Sequence, residues 1–165
     1  MLLAVSVAPR SLMASEVVEI GLQGNADGSK VWFGPIGVLV QPGQTIRWTN
    51  RDPGNAHTTT AYHPKNAEHP HRIPEGAEPW NSDYLLPNET FSVTLTVEGV
   101  YDYFCIPHEH AGMVGRIVVG HPDSASAAPS REVTPGGGAA SVPEPAQRAF
   151  PAVDEIMRRK VVRRT

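Results

Sequence analysis

Hydrophobic positions along this chain recur with a period of two and in short runs, the pattern of β-strands separated by turns rather than of long amphipathic helices. From Glu16 onward, Val17 to Ile20 and Lys30 to Phe33 are spaced to pair across GNADGS, and Val38 to Val40 is a short apolar run ended by Pro42 and Gly43. Thr45 to Asn50 alternates cleanly, with Ile46 and Trp48 on one side and Thr45, Arg47 and Thr49 on the other, as a half-buried strand does. Phe91, Val93, Leu95 and Val97 repeat that alternation. After the turn at Gly99, Val100 to Cys105 places Tyr101, Tyr103 and Cys105 on one side, so the cysteine points where the aromatic core points. Met113 to Val119 closes the set with Ile117 and Val119 facing in. Roughly seven such strands predict an all-β fold, an antiparallel Greek-key β-sandwich.

Three stretches break the pattern. Residues 58–90 are irregular and carry three of the seven histidines, and a long ordered loop of this kind tends to be functional. His63, His69 and His71 are candidates there for a second metal site, His69 and His71 being spaced to chelate. Residues 121–150 are small and Pro/Gly/Ser/Ala-rich, the composition of a linker that ends the domain. Within 151–165, Pro151 opens a short amphipathic helix or tail. Val153, Ile156, Met157 and Lys160 share a face there, with Asp154 and Glu155 in the first turn and Arg158 and Arg159 in the last, as the helix dipole favours. Residues 1–15 read as the end of an export signal that starts upstream, with cleavage near Ala14, or as a disordered leader. The domain proper is therefore placed at 16–120.

Composition narrows the picture. The 40% hydrophobic content of 165 residues supports one sizeable core, and no apolar run reaches the ~18 residues of a transmembrane segment. A net charge of −3 hides an asymmetry: residues 16–120 carry six Lys/Arg against twelve Asp/Glu, whereas five basic residues lie in the last eight positions. The acidic body opposes nucleic acid and suits a partner with a basic docking surface, while the basic tail suits weak contact with an anionic surface. The single cysteine excludes an intramolecular disulfide, so its thiol is free to act as a ligand or nucleophile.

The chemistry concentrates in Tyr101 to Met113, YDYFCIPHEHAGM, where Cys105, His108 and Met113 lie within nine residues. Thiolate and thioether sulfur are soft ligands and imidazole is intermediate, a set that suits copper in both of its common oxidation states. A second histidine must come from elsewhere, and His57 is the leading candidate.

The frame Y-x-F-C-x-P-H followed by A-G-M-x-G, with TIRWTN and His57 upstream and Arg116 to Val119 downstream, resembles the plastocyanin-like branch of the cupredoxins. The resemblance spans about two-thirds of the chain. It implies a cupredoxin-like sandwich and a mononuclear type 1 (blue) copper site holding one Cu(I)/Cu(II) ion. His57, Cys105 and His108 would form the equatorial plane and Met113 the long axial contact. It further implies that His108 reaches the surface through an apolar rim of Pro107, Ala111 and Gly112. His110 lies five residues past the cysteine, a spacing that other cupredoxins combine with a methionine four residues on; that position is Val114, so His108 with Met113 is the better-matched pair. Two departures stand out. Thr58 follows His57 where the family often has asparagine, and Glu109 with His110 puts titratable groups beside the expected electron port.

These features converge on an exported one-electron carrier, periplasmic, cell-surface or extracellular, that passes electrons to a redox partner protein and is not an enzyme. The alternative is a copper-handling protein that delivers or stores the ion, kept open by the His-rich loop. A thiol hydrolase using Cys105 with His108 or His57 is the enzymatic reading, weakened by the lack of an evident orienting Asn or Asp.

Overall fold

A computed structural model describes residues 16–121 and 141–164. The leader and its cleavage position near Ala14, together with most of the expected linker, lie outside the described residues.

The alternating segments fold as nine strands in two sheets among the described residues. One sheet holds β1 (Val18–Gly24), β2 (Val31–Gly34), β4 (Gln44–Asn50) and β6 (Thr90–Leu95) in the order β2-β1-β4-β6. The other holds β3 (Gly37–Val40), β5 (Thr60–Ala61), β7 (Gly99–Phe104), β8 (Val114–Val119) and β9 (Val161–Val162) in the order β5-β7-β8-β3-β9. Val18–Gly24 and Val31–Gly34 pair antiparallel across the expected turn. The sandwich is not purely antiparallel, however, because β1 runs parallel to β4 and β3 runs parallel to β8. Between the members of each parallel pair the chain leaves for the opposite sheet and returns, so no hairpin fixes their relative direction.

The inward faces meet in a core that includes Ile20, Leu22, Phe33, Ile46, Trp48, Tyr101, Tyr103, Ile117 and Val119. Trp48 lies at its centre, with the rings of Trp80, Tyr103 and Phe91 at 5.5, 5.4 and 6.4 Å. Every residue of β7 and β8 is buried, on both faces of the sheet. The reason is a third layer built from the C-terminal segment, α1 (Glu144–Ala149), α2 (Val153–Arg159) and β9. Ile156 and Val162 pack on Ile36, Val100 and Val118, while Val142 and Ala146 pack on Tyr62, Phe104 and Val114. Helix α1 thus occupies a stretch where a linker was expected, and the terminal helix is confined to 153–159 and followed by an edge strand. Gly37 permits this docking, since a Cβ there would stand 2.9 Å from the side chains of Ile156 and Pro151.

A buried ion network anchors the same layer. Asp102 and Arg116 face each other across β7 and β8, and Arg116 donates to both carboxylate oxygens of Asp102 at 2.7 and 3.0 Å. Arg72 donates to Asp102 at 2.8 and 2.6 Å. Both guanidinium groups lie over the ring of Phe150, at 5.1 and 5.0 Å, and Arg116 also donates to the Pro151 carbonyl at 2.8 Å. Among the described residues no helix is long and apolar enough to cross a membrane.

Candidate metal centre

Cys105 follows β7 directly, so the alternation that turns Tyr101 and Tyr103 inward buries the cysteine completely. Its N–H donates to the Met113 carbonyl at 3.0 Å, and the Met113 N–H donates to the His108 carbonyl at 3.1 Å, closing 105–113 into a compact loop. Inside it Ile106–Ala111 forms a 3-10 helix with Pro107 in its first turn, ended by Gly112 at φ 76°. Only glycine takes that left-handed conformation without penalty, and Gly112 also lies beneath α1, where a Cβ would stand 3.1 Å from the Pro145 carbonyl.

His57 arrives from the other sheet through the turn after β4. Asn50, wholly buried, donates through Nδ2 to the Asn55 and Leu85 carbonyls, both at 2.8 Å, and accepts the Asp52 N–H at 2.9 Å. The Asp52 carboxylate accepts the Gly54 N–H and Asn55 Nδ2, each at 2.9 Å. His57 itself is tied by backbone bonds to Leu85 in both directions. Its Nε2 lies 2.9 Å from Asp52 Oδ2 and donates to it, which turns the other ring nitrogen, Nδ1, toward Cys105.

The Cys105 Sγ lies 3.6 Å from His57 Nδ1 and 3.6 Å from His108 Nδ1. All three donor atoms lie within 4.8 Å of one another, and this is the only such trio among the described residues. An ion bonded about 2.0 Å from nitrogen and about 2.3 Å from sulfur holds those atoms about 3.5–3.7 Å apart at tetrahedral to trigonal angles. The spacing therefore fits one ion. His57 and Cys105 are buried, His108 is half-buried, and Met113 is fully buried at the closure of the same loop. Burial pushes the Cys105 thiol up to about 11 against the lowering effect of the Thr58 N–H and His108, so metal must displace a proton to bind there. Burial, reinforced by His57, lowers His108 and keeps its imidazole neutral and available.

Thr58 does more than follow His57. Its N–H donates to the Cys105 Sγ at 3.3 Å, and its hydroxyl accepts the Ile106 N–H at 2.9 Å. Thr60 donates to Asn81 Oδ1 at 3.1 Å, which leaves its oxygen to accept the Thr58 hydroxyl at 3.0 Å. The hydroxyl thus joins the loop that carries His57 to the loop that carries Cys105 and His108.

Other sequence expectations are redistributed. His110 is exposed and lies outside the donor trio. Glu109 is buried rather than exposed; it accepts the Tyr62 hydroxyl at 2.6 Å and pairs with His69 Nε2 at 3.0 Å. His69 stacks on Phe104 with ring centroids 4.4 Å apart. The proposed His69/His71 chelate is therefore split: His71 meets His63, with ring centroids 4.8 Å apart, and no third donor joins them among the described residues. Of the expected rim, Pro107 and Ala111 are exposed, together with Ile106, while Gly112 is covered. Neither strand alternation nor donor spacing points to Asp52; its place in a DPGN turn five residues before His57 is the signal the sequence offers.

Residues 20–120 match the family model described as copper binding proteins, plastocyanin/azurin family. The chain is 35% identical over 127 residues to a chloroplastic plastocyanin of Oryza sativa subsp. indica, covering 70% of this chain and 73% of that protein. It is 33% identical over 126 residues to that of Chlamydomonas reinhardtii, covering 70% and 77%. Among solved structures, a pseudoazurin from Sinorhizobium meliloti superposes with a TM-score of 0.59 at 30% identity, covering 81% of this chain and 89% of that one.

Proposed function

The chain belongs to the plastocyanin/azurin family of copper-binding proteins, and from that premise we propose that it is a one-electron carrier with a mononuclear type 1 copper site. The observation that carries this reading is the convergence of one buried thiol and two imidazole Nδ1 atoms at 3.6 Å, with His108 alone half-exposed. Copper bound there supplies the Cu(I)/Cu(II) couple.

The residues divide the work by position. His57, Cys105, His108 and Met113 would hold the ion, two imidazoles, a thiolate and a thioether that together suit both oxidation states of copper. Thr58 would steady the thiolate through its N–H, and its hydroxyl would hold the loops in one arrangement through a redox cycle. Ile106, Pro107 and Ala111, exposed on the loop that carries the half-exposed His108, would form an apolar rim on which a redox partner protein would dock. The acidic body favours a partner with a basic face. Contact of the basic tail with an anionic surface is weakened by the pairing of Arg158 with Asp154 and of Arg159 with Glu155. We place the protein outside the cytoplasm, in the periplasm, at the cell surface or in the extracellular space, and the reading assigns it no enzymatic step.

Delivery or storage of copper is the competing reading. The hydrogen-bonded, buried donor set and the split loop histidines favour a retained ion over an exchanging one. One equivalent of Cu(II) should produce an intense thiolate-to-copper band near ~600 nm that Cys105→Ser abolishes. A weak spectrum indifferent to that substitution would refute the assignment.

A further inference from the structure

The carboxylate of Asp52 is buried, and its side chain is only 2% exposed where it meets His57. Three donors converge on it: the Gly54 N–H, Asn55 Nδ2 and His57 Nε2, each at 2.9 Å. Its own N–H is held by Asn50 Oδ1. Gly24, at the end of β1, closes over it so tightly that a Cβ there would fall 2.0 Å from Oδ2. The anion is therefore fixed in place and sealed by the fold before any metal arrives.

We propose that Asp52 is a positioning residue that aims His57 Nδ1 at the metal and biases the centre, by its fixed negative charge, toward divalent over monovalent ions. An acceptor-only group at Nε2 forces the ring proton there and frees the Nδ1 lone pair that lies 3.6 Å from Cys105. A neutral acceptor would select the same tautomer. The charge adds something a neutral acceptor lacks, because a buried anion attracts a doubly charged ion more strongly than a singly charged one. In a redox centre this preference stabilises the oxidised state and lowers the potential. That last consequence rests on the electron-carrier reading; the ion preference itself does not.

Asp52→Asn in the full chain separates the two roles, since the amide oxygen can still accept from His57 but carries no charge. Zn(II) and Cu(I) affinities would be measured by competition with chelators. The Zn(II) affinity is expected to fall about tenfold or more relative to Cu(I), in line with the usual effect of losing an outer hydrogen-bond partner of a ligand. On copper the same tenfold loss of oxidised-state preference would raise the potential by about 59 mV. Equal losses for both ions, no change in either, or failure of the native protein to bind Zn(II) would overturn the proposal. Should the variant not fold, long-range proton–nitrogen NMR of the native Zn(II) form decides: a proton on His57 Nε2 in a strong hydrogen bond is expected, and a proton on Nδ1 overturns it. A native protein that binds Zn(II) and Cu(I) but gives no blue band would refute the electron-carrier reading while leaving this test intact.

Discussion

Phe150 is the residue on which the third layer turns, and replacing it measures how firmly the C-terminal segment belongs to the domain. Its half-buried ring lies against the guanidinium groups of Arg72 and Arg116, at 5.1 and 5.0 Å, and meets Tyr62 edge-on at 5.9 Å. Truncating a fully buried phenylalanine to alanine costs about 3–5 kcal/mol, so half-burial sets the packing loss near 2 kcal/mol. Two cation–π contacts add about 0.5–1 kcal/mol each. Phe150→Ala is therefore expected to destabilise the metal-free protein by about 3 kcal/mol in urea unfolding. At about 2–4 °C per kcal/mol for a chain of this size, the midpoint temperature should drop by about 6–12 °C. Phe150→Leu keeps most of the apolar contact and should lose only the ring's share, about 1–2 kcal/mol. The blue band should survive both changes, because none of the three converging donors touches Phe150. A loss below about 1 kcal/mol for the alanine variant, or equal losses for both, would refute the claim that the Phe150 ring fastens the layer.

Two further outcomes follow from the site's surroundings. Thr58→Val leaves the part-buried Ile106 N–H without its acceptor and should cost about 1 kcal/mol, whereas Thr58→Ser should be nearly neutral; parallel urea titrations compare them. Burial alone would lower His69, but the hydrogen bond to Glu109 and its charge outweigh this and raise it. A histidine raised in the fold contributes stability that is full below its ordinary value near ~6.5 and is lost as pH rises through the folded value. The stability difference between the native protein and His69→Asn should accordingly shrink between pH 6 and 8, and a difference that widens would contradict the sign.

Much of the sandwich was legible because strands that bury one face must alternate. Ile46 and Trp48 entered the core as their spacing required, and the same period turned Cys105 inward with Tyr103. The reading fell short where that premise failed. Val100, Phe104, Val114 and Val118 are apolar on the face that alternation assigns to solvent, and they are buried because α1, α2 and β9 cover them. Their near-continuous apolar runs were a visible mark of a sheet buried on both faces. Nothing in the local spacing could pair Glu109 with Tyr62 and His69, forty and more residues away in the chain.

By itself, then, the sequence determined which donors exist and which of them local geometry holds together: Cys105, His108 and Met113 share one loop, and short-range backbone bonds close it. It also determined the soft donor set that suits copper. Only the tertiary structure decided that His57 completes the trio at 3.6 Å, that a sealed carboxylate stands behind it, and that Thr58 ties the loops. The division has a physical cause. Short-range pattern governs strand direction and turn formation, whereas contacts across 47 and 48 residues, such as those of Cys105 with Thr58 and His57, depend on how the two sheets close over a common core.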